Sequence, residues 1–166
     1  MKTFAFIDSQ NLNLGVKSQG WDLDWRKFRQ YLRNKYSVIN SYLFIGYKAG
    51  NERLYKNLQG MGYVVILKPT MELPDGKTKG NVDAELVLHT MIEYKNFNKA
   101  IVVSGDGDFH CLVEYLVEQG KLLNLMTPNK HYSSLLRKFN NYIVRVDLLR
   151  GSLERKLTKI SGRSKP

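Results

Sequence analysis

The sequence predicts an α/β fold in which helices cover a mainly parallel central sheet. Short apolar runs suited to buried strands alternate along the chain with segments whose apolar residues recur at helical spacing. A chain of 166 residues with 43% hydrophobic residues can bury one good core, so a single domain is expected. We expect this domain to span residues 1–149 and a basic C-terminal tail to occupy residues 150–166.

The predicted strands are six apolar runs, at residues 3–7, 39–45, 63–67, 100–103, 122–126 and 142–146. Between them, apolar residues recur three or four positions apart in segments that begin at Trp25, Leu54, Leu86, Leu112 and Leu135. That spacing is typical of amphipathic helices with one face on a core. The alternation of the two patterns therefore favours a parallel sheet with helical crossovers.

Two segments interrupt this alternation. Residues 68–82 form a long polar connection that contains two prolines, two glycines and three lysines, and we interpret it as a flexible active-site loop. Residues 150–166 contain six cations and a single acid, which gives this segment +5 of the net charge of +11. The tail is interpreted either as a solvated, frayed terminus or as an electrostatic arm for phosphates.

Composition narrows the class of protein. Lysine and arginine number 26 against 15 acidic residues, a balance that favours polyanionic partners. The single cysteine, Cys111, has no partner for a disulfide or a zinc site, and we expect it to be a small buried hydrophobe. Apolar runs are too short for a membrane span, and the run at 4–7 ends too early for a signal peptide. A soluble, cytoplasmic protein without a membrane partner is expected.

Acidic residues follow two of the predicted strands. Asp8 comes directly after the first strand, and Asp106 and Asp108 follow the fourth, with glycines on both sides of Asp106. In the common doubly wound strand order these two strands are neighbours, and ligands bind at their carboxyl ends. Asp83 opens the helix that leads into the fourth strand, so it belongs to the same edge, as does Ser104.

Carboxylates held this close together repel one another and need a compensating cation. An oxygen-only ligand set without cysteine favours Mg²⁺ or Mn²⁺ over Zn²⁺. Each acid also has a structural interpretation, because Asp83 and Asp108 occupy helix N-cap positions and Asp106 suits a turn. Asp8 is harder to explain structurally, since it ends an apolar strand expected to be central.

Three segments in this order, FIDSQNLN, KGNVDAEL and VVSGDGDF, resemble the NYN domains of the PIN-like nuclease superfamily, especially its LabA-like branch. The resemblance extends over about residues 3–147, and its specificity comes from all three motifs occurring together. It implies a Rossmann-like (PIN-like) three-layer sandwich with a central, mainly parallel sheet. It also implies an Mg²⁺- or Mn²⁺-dependent endonuclease that acts mainly on RNA.

The resemblance further implies which residues form the site. The family's acidic positions are matched by Asp8, Asp83, Asp106 and Asp108, and its supporting polar positions are matched by Asn11 and Ser104. One position departs from the pattern, because this branch often places an acid where this chain has His89. We expect the nearby Glu85 either to contribute a carboxylate instead or to be an ordinary solvated helix residue.

The expected partner is RNA, with single-stranded DNA as an alternative, and a homodimer is left open. Phosphates would be gripped by basic residues of the second predicted helix, the polar connection and the tail: Arg26, Lys27, Arg29, Arg33, Lys77, Lys79, Arg155 and Lys156. Lys79 is the candidate for the scissile phosphate. Tyr47 and Tyr132 are interpreted either as stacking platforms for bases or as packing residues.

Three other interpretations match part of this sequence pattern. The segment GDGD also occurs in haloacid-dehalogenase-like phosphatases, but those enzymes need a second Asp where this chain has Gln10. A calcium loop around Asp106 lacks the remaining ligands. A non-catalytic module that binds RNA or protein stays open, because the same basic residues would serve it.

Overall fold

The computed structural model describes residues 1–76 and 78–157, with residues 78 and 79 described by their backbone. Its main sheet has six parallel strands in the order β3-β2-β1-β6-β7-β8. These strands are β1 (Thr3–Asp8), β2 (Val38–Gly46), β3 (Tyr63–Lys68), β6 (Lys99–Val103), β7 (Leu122–Thr127) and β8 (Ile143–Arg145). A separate antiparallel pair consists of β4 (Met71–Glu72) and β5 (Thr78–Lys79).

Helices cover both faces of the sheet. The α-helices are α1 (Ser9–Lys17), α2 (Trp25–Tyr36), α3 (Glu52–Gly60), α4 (Asp83–Ile92), α5 (His110–Glu118) and the short α6 (Arg150–Leu153). Core residues of α1, α2, α3 and α6 pack on one face, and those of α4 and α5 pack on the other. A 3₁₀ segment at Ser134–Tyr142 joins the second group. The predicted three-layer α/β sandwich is therefore confirmed.

Strand β1 shows why the two faces exist. All six of its residues are buried, and successive side chains point to opposite faces. Phe4 and Phe6 belong to the core under α4 and α5, whereas Ala5 and Ile7 belong to the core under α1 and α2. A strand buried on both sides has to be central. It pairs with β2 on one edge and with β6 on the other, and the second pairing confirms the predicted neighbour.

Three local predictions differ from the structure. Helix α1 was not expected, because only two of its residues, Leu12 and Val16, are buried and its remaining sequence is polar. The long connection at 68–82, which was interpreted as a flexible active-site loop, contains the antiparallel pair β4–β5. The expected helix around Phe139 is a 3₁₀ segment with a kink at that residue.

Cys111 corrects another expectation, since it lies exposed on the outer side of α5. Its neighbours Leu112 and Val113 point into the core instead. The buried face of α5 therefore includes Leu112 and Val113, whereas Cys111 lies on the face turned to solvent.

Part of the basic segment after residue 149 packs on the domain. Leu153 is buried in the core under α2, and its carbonyl accepts a hydrogen bond from the backbone N–H of Asp24 at 2.8 Å. Arg155 donates its backbone N–H to the Asp22 carbonyl at 2.8 Å. The division of the chain at residue 149 stays a prediction, and residues 158–166 lie outside the described part.

No helix within residues 1–76 and 78–157 has both the length and the apolar character needed to span a membrane.

Candidate active site

The register between β1 and β6 sets the position of the site. Ile7 pairs with Val103 in this parallel ladder, so the residues that follow them, Asp8 and Ser104, emerge side by side at the carboxyl edge. The Ser104 hydroxyl lies 3.5 Å from Asp8 Oδ2. The prediction that the first and fourth strands bring these residues together is confirmed.

Asp8 is held by the start of α1. It is only 5% exposed, and its Oδ1 accepts a hydrogen bond from the backbone N–H of Asn11 at 3.2 Å. Asp8 is thus the N-cap of α1, where an extended backbone and an acceptor side chain satisfy a free helix N–H. Asp8 therefore caps a helix and also contributes a carboxylate to this edge of the sheet.

A hydrogen-bond network fastens the loop after β6 to α1. Asn11 Oδ1 accepts the backbone N–H of Gly105 at 2.8 Å, and Ser104 Oγ accepts that of Asp106 at 3.1 Å. Asp106 Oδ1 in turn accepts the backbone N–H of Asp108 at 2.9 Å. Asn11 and Ser104 therefore position the acids rather than adding charge to the site.

Asp83 is the first residue of α4 and reaches the edge from the opposite layer. Its backbone N–H donates to Asn81 Oδ1 at 2.7 Å. Lys68, at the end of β3, donates to the Asn81 carbonyl and lies 3.5 Å from Glu85 Oε1. Lys68 and Asn81 were missed by the sequence analysis, because their roles depend on contacts between distant segments.

Three carboxylates form the cluster: Asp8, Asp83 and Asp106. One oxygen from each lies within 4.8 Å of the others. Asp108 is exposed and falls outside this group, although its carboxyl group contributes to the raised pKa of Asp83. Glu85 also lies outside, since it faces Lys68. The four predicted acids therefore separate into a triad and one outer residue.

The triad has unfavourable electrostatics without a cation. Burial raises the pKa of Asp8, and the charge of Asp106 raises it further, against hydrogen bonds from Asn11 and Ser104. Burial and the charge of Asp106 likewise raise the pKa of Asp83 to about 6, while Asn81 opposes that shift. Each ionised carboxylate in the cluster thus makes the next one harder to ionise.

This donor set fits a hard divalent cation. Oxygen ligands of Mg²⁺ and Ca²⁺ lie about 2.0–2.6 Å from the ion, so oxygens within 4.8 Å of one another can share one. An ion there would also relieve the repulsion that raises the pKa of Asp8 and of Asp83. Asp8, Asp83 and Asp106 are the residues that could hold it.

The triad lies in a cleft of about 330 Å³. The cleft is bounded by α1 on one side and by the approach to α4 on the other. Its lining residues are Asp8, Gln10, Asn11, Leu14, Gly80, Asn81, Val82, Asp83 and Asp106. We call it the acidic cleft. Its size and open approach suit part of an extended substrate.

Arg29 does not belong to a phosphate-binding surface, contrary to prediction. Its side chain is 4% exposed and donates to the carbonyls of Gly62, Val38 and Ile39 at 3.2–3.3 Å. The guanidinium thus satisfies three carbonyls where α2 meets the edge of the sheet. Its neighbour Arg26 is exposed on the same helix.

The other predicted phosphate-binding residues are dispersed. Arg155 lines a cleft of about 440 Å³ on the far side of α1, together with Lys17 and Lys48, and lies 3.9 Å from Asp22. Lys156 is exposed at the end of the described chain. Lys77 and the side chain of Lys79 lie outside the described residues.

Two further residues have structural partners. The ring centroid of His89 lies 5.6 Å from that of Phe44, and His89 is not a member of the triad. Tyr47 donates its hydroxyl to Glu52. His89 is therefore a packing residue here, and Glu85 does not replace the missing acid in the triad.

A doubly wound parallel sheet with a carboxylate triad at its central carboxyl edge defines an α/β protein with a candidate metal site where such sheets bind ligands. Residues 2–149 match the NYN domain family, and the chain belongs to that family. It is 24% identical to the low amplitude and bright protein LabA of Synechococcus elongatus, over 90% of this chain and 86% of that protein.

A solved structure has the same fold. It is the crystal structure of a protein of unknown function from Vibrio parahaemolyticus, with a TM-score of 0.73 and 24% sequence identity. The match covers 93% of this chain and 96% of the Vibrio chain. It supports the architecture and carries no information on activity.

Proposed function

We propose that this protein is a metal-dependent endoribonuclease that hydrolyses phosphodiester bonds at the acidic cleft. The observation that carries the proposal is the triad of Asp8, Asp83 and Asp106, with carboxylate oxygens within 4.8 Å of one another. The raised pKa values of Asp8 and Asp83 are consistent with a cluster that a cation would stabilise. Membership of the NYN family supports nuclease chemistry in particular.

Asp8, Asp83 and Asp106 would hold Mg²⁺ or Mn²⁺. When bound, such an ion lowers the pKa of a coordinated water and stabilises charge that develops on the phosphate. Asp8 and Asp106 are suited to this role because both are fixed by hydrogen bonds, through Asn11 and Ser104 respectively. A fixed ligand set costs little reorganisation during the reaction.

The outer acid has a separate role. Asp108 is exposed and lies close enough to Asp83 to raise the pKa of that residue. A carboxylate in that place can help to orient the attacking water. Water is the nucleophile, so no side chain has to form a covalent intermediate.

Substrate binding depends on basic residues outside the triad. The net charge of +11 favours a polyanion, although the acidic cleft itself repels phosphate without a metal. We propose RNA as the polyanion and keep Lys79 as the candidate contact for the scissile phosphate. Neutral Gln10 lines the cleft where a phosphatase of the haloacid dehalogenase type requires an acid, which weighs against that chemistry.

The test is incubation of the purified protein with labelled single-stranded RNA, double-stranded RNA and DNA, each with Mg²⁺, Mn²⁺ or EDTA. We expect internal cleavage of RNA with metal and none with EDTA. Asp8→Asn should abolish cleavage and keep the fold, because asparagine also caps helices. Equal cleavage by wild type and Asp8→Asn would indicate a contaminating nuclease and overturn the proposal.

A further inference from the structure

A second cleft opens directly beside the acidic cleft. It has a volume of about 350 Å³ and shares Asn11 and Leu14 with the acidic cleft. On its other side it is lined by Gly105, Pro128 and Tyr132, from the loops after β6 and β7. We call it the side cleft. A ligand extending out of the acidic cleft across α1 would enter it.

The walls of the side cleft are fixed in place. Asn129 Nδ2 donates to the Gly15 carbonyl at 2.8 Å, which ties the loop after β7 to α1. Ser133 donates its backbone N–H to the Gly105 carbonyl at 3.0 Å and fixes the segment that carries Tyr132. A preformed cleft of this size falls within the range of ligand sites, about 300–1,000 Å³.

Close packing at the base of the cleft requires glycine at residue 15. A Cβ there would lie 2.4 Å from Pro128 Cβ, closer than two carbon atoms can approach. Backbone and proline ring therefore meet directly, and the space above them stays free for a ligand.

The lining combines flat apolar surface with polar groups. Leu14 is 54% exposed, and Tyr132 adds a half-buried ring beside it. Asn11 Oδ1 accepts a hydrogen bond from the backbone N–H of Gly105, whereas its amide nitrogen donates to no other described residue. Apolar walls beside an amide donor suit a planar heterocycle with acceptor atoms.

We propose that the side cleft binds the base of the nucleotide adjacent to the phosphate held at the triad. This inference rests on the proposed nuclease function, because the triad defines where that phosphate lies. The base would stack on Tyr132, pack against Leu14 and accept a hydrogen bond from Asn11. A base that is paired and stacked in a duplex cannot enter a cleft, so the site selects unpaired RNA.

Binding can be measured separately from cleavage in the Asp8→Asn protein. The probes are a labelled single-stranded RNA 12-mer and the same strand annealed to its complement, followed by fluorescence anisotropy. Stacking on one aromatic ring contributes on the order of 10-fold to 100-fold in affinity. We therefore expect Tyr132→Ala to weaken single-strand binding by about 10-fold or more, Tyr132→Phe to retain it, and the duplex to bind weakly throughout.

Matched controls separate stacking from a general loss of structure. Tyr115→Ala removes an exposed tyrosine from α5 that does not line the side cleft, and Leu88→Ala removes a leucine about as exposed as Leu14 from α4. Neither should change binding, whereas Leu14→Ala should weaken it. A 2-aminopurine base placed at successive positions along the strand gives a second readout. At one position its fluorescence should be quenched by the protein with Tyr132 and by the Tyr132→Phe variant.

The results distinguish this inference from the nuclease proposal. If Tyr132→Ala melts cooperatively and binds the single strand as tightly as its parent, or if the duplex binds equally well, the base site is wrong. Should wild type still cleave RNA with Mn²⁺ in that case, the nuclease proposal stands. Tyr132-dependent binding without any cleavage by wild type would keep the base site and overturn the nuclease.

Discussion

The acidic residues and the basic residues are placed by different features of the fold. Three of the acids sit at the carboxyl ends of β1 and β6 or at the start of α4, all at one edge. The cations that were expected to bind phosphate are dispersed, since Arg29 is buried, Arg26 is exposed on α2 and Arg155 lies beyond α1.

This difference shows how a parallel sheet brings functional residues together. Residues that directly follow adjacent parallel strands must emerge together, because the hydrogen-bonded ladder leaves no freedom in their placement. A helix surface imposes no such convergence, since a cation on it can face any direction that the solvent allows. The residues suited to metal binding therefore lie together at the carboxyl edge of the sheet. The cations on the helix surfaces contribute positive charge without a defined geometry.

The largest expected effect is on the rate of RNA cleavage, and it should differ between Asp106 and Asp108. Asp106→Asn removes a member of the triad, and we expect RNA cleavage to fall on the order of 100-fold or more. Asp108→Asn removes the outer acid and should cost less, about 10-fold, because the triad stays intact. Single-turnover rates with saturating Mn²⁺ measure both. Glu118→Gln, at an exposed position on α5, is the control. Equal losses at 106 and 108 would remove the distinction between triad and outer acid.

The next effect contrasts two arginines of the same helix. Arg29→Met leaves the carbonyls of Gly62, Val38 and Ile39 without their donor, so we expect unfolding free energy to drop by about 2–3 kcal/mol. Arg26→Met should change stability by less than about 0.5 kcal/mol, because its side chain is exposed. Urea unfolding measures both differences. An Arg29→Met protein as stable as wild type would contradict the structural role assigned here.

A smaller effect concerns pH in the metal-free protein. The pKa of Asp83 is raised to about 6, so its ionisation destabilises the folded state as the pH rises from about 4 through 6. Asp83→Asn should therefore melt at a higher temperature than wild type at pH 7, with the difference disappearing near pH 4. Thermal melts in EDTA across this range test the prediction.

Divalent metal should reverse that order. Wild type gains stability from an ion that the Asp83→Asn variant binds less well, so added Mn²⁺ should raise the melting temperature of wild type more. If Mn²⁺ shifts both proteins equally at pH 7, Asp83 is not a ligand.

The smallest expected effect belongs to the dispersed cations. Arg155→Ala combined with Lys156→Ala should reduce the slope of log affinity against log salt for single-stranded RNA by up to about 1.4, with no change in sequence preference. Truncation is a poorer test here, because removing Leu153 would expose core. An unchanged slope would mean that neither cation contacts the nucleic acid.

Much of the fold was predictable because it depends on local patterns. The runs at 4–7 in β1 and 100–103 in β6 are continuously apolar, as is typical of buried parallel strands, and the order of the runs along the chain implied helical crossovers. The elements that were missed have weak local patterns. Helix α1 buries only Leu12 and Val16, and the β4–β5 hairpin consists of two-residue strands.

The sequence by itself determined where the acids stand relative to the strands, since Asp8 and Ser104 directly follow residues that pair across two neighbouring strands. The tertiary structure decided which acids meet, because Asp108 stays outside the triad although it is two residues from Asp106, and Glu85 faces Lys68 although it is two residues from Asp83. It also decided that Arg29 is buried. The physical reason is that strand register follows from local hydrophobic pattern and topology, whereas the partner of a side chain depends on segments far away in the chain.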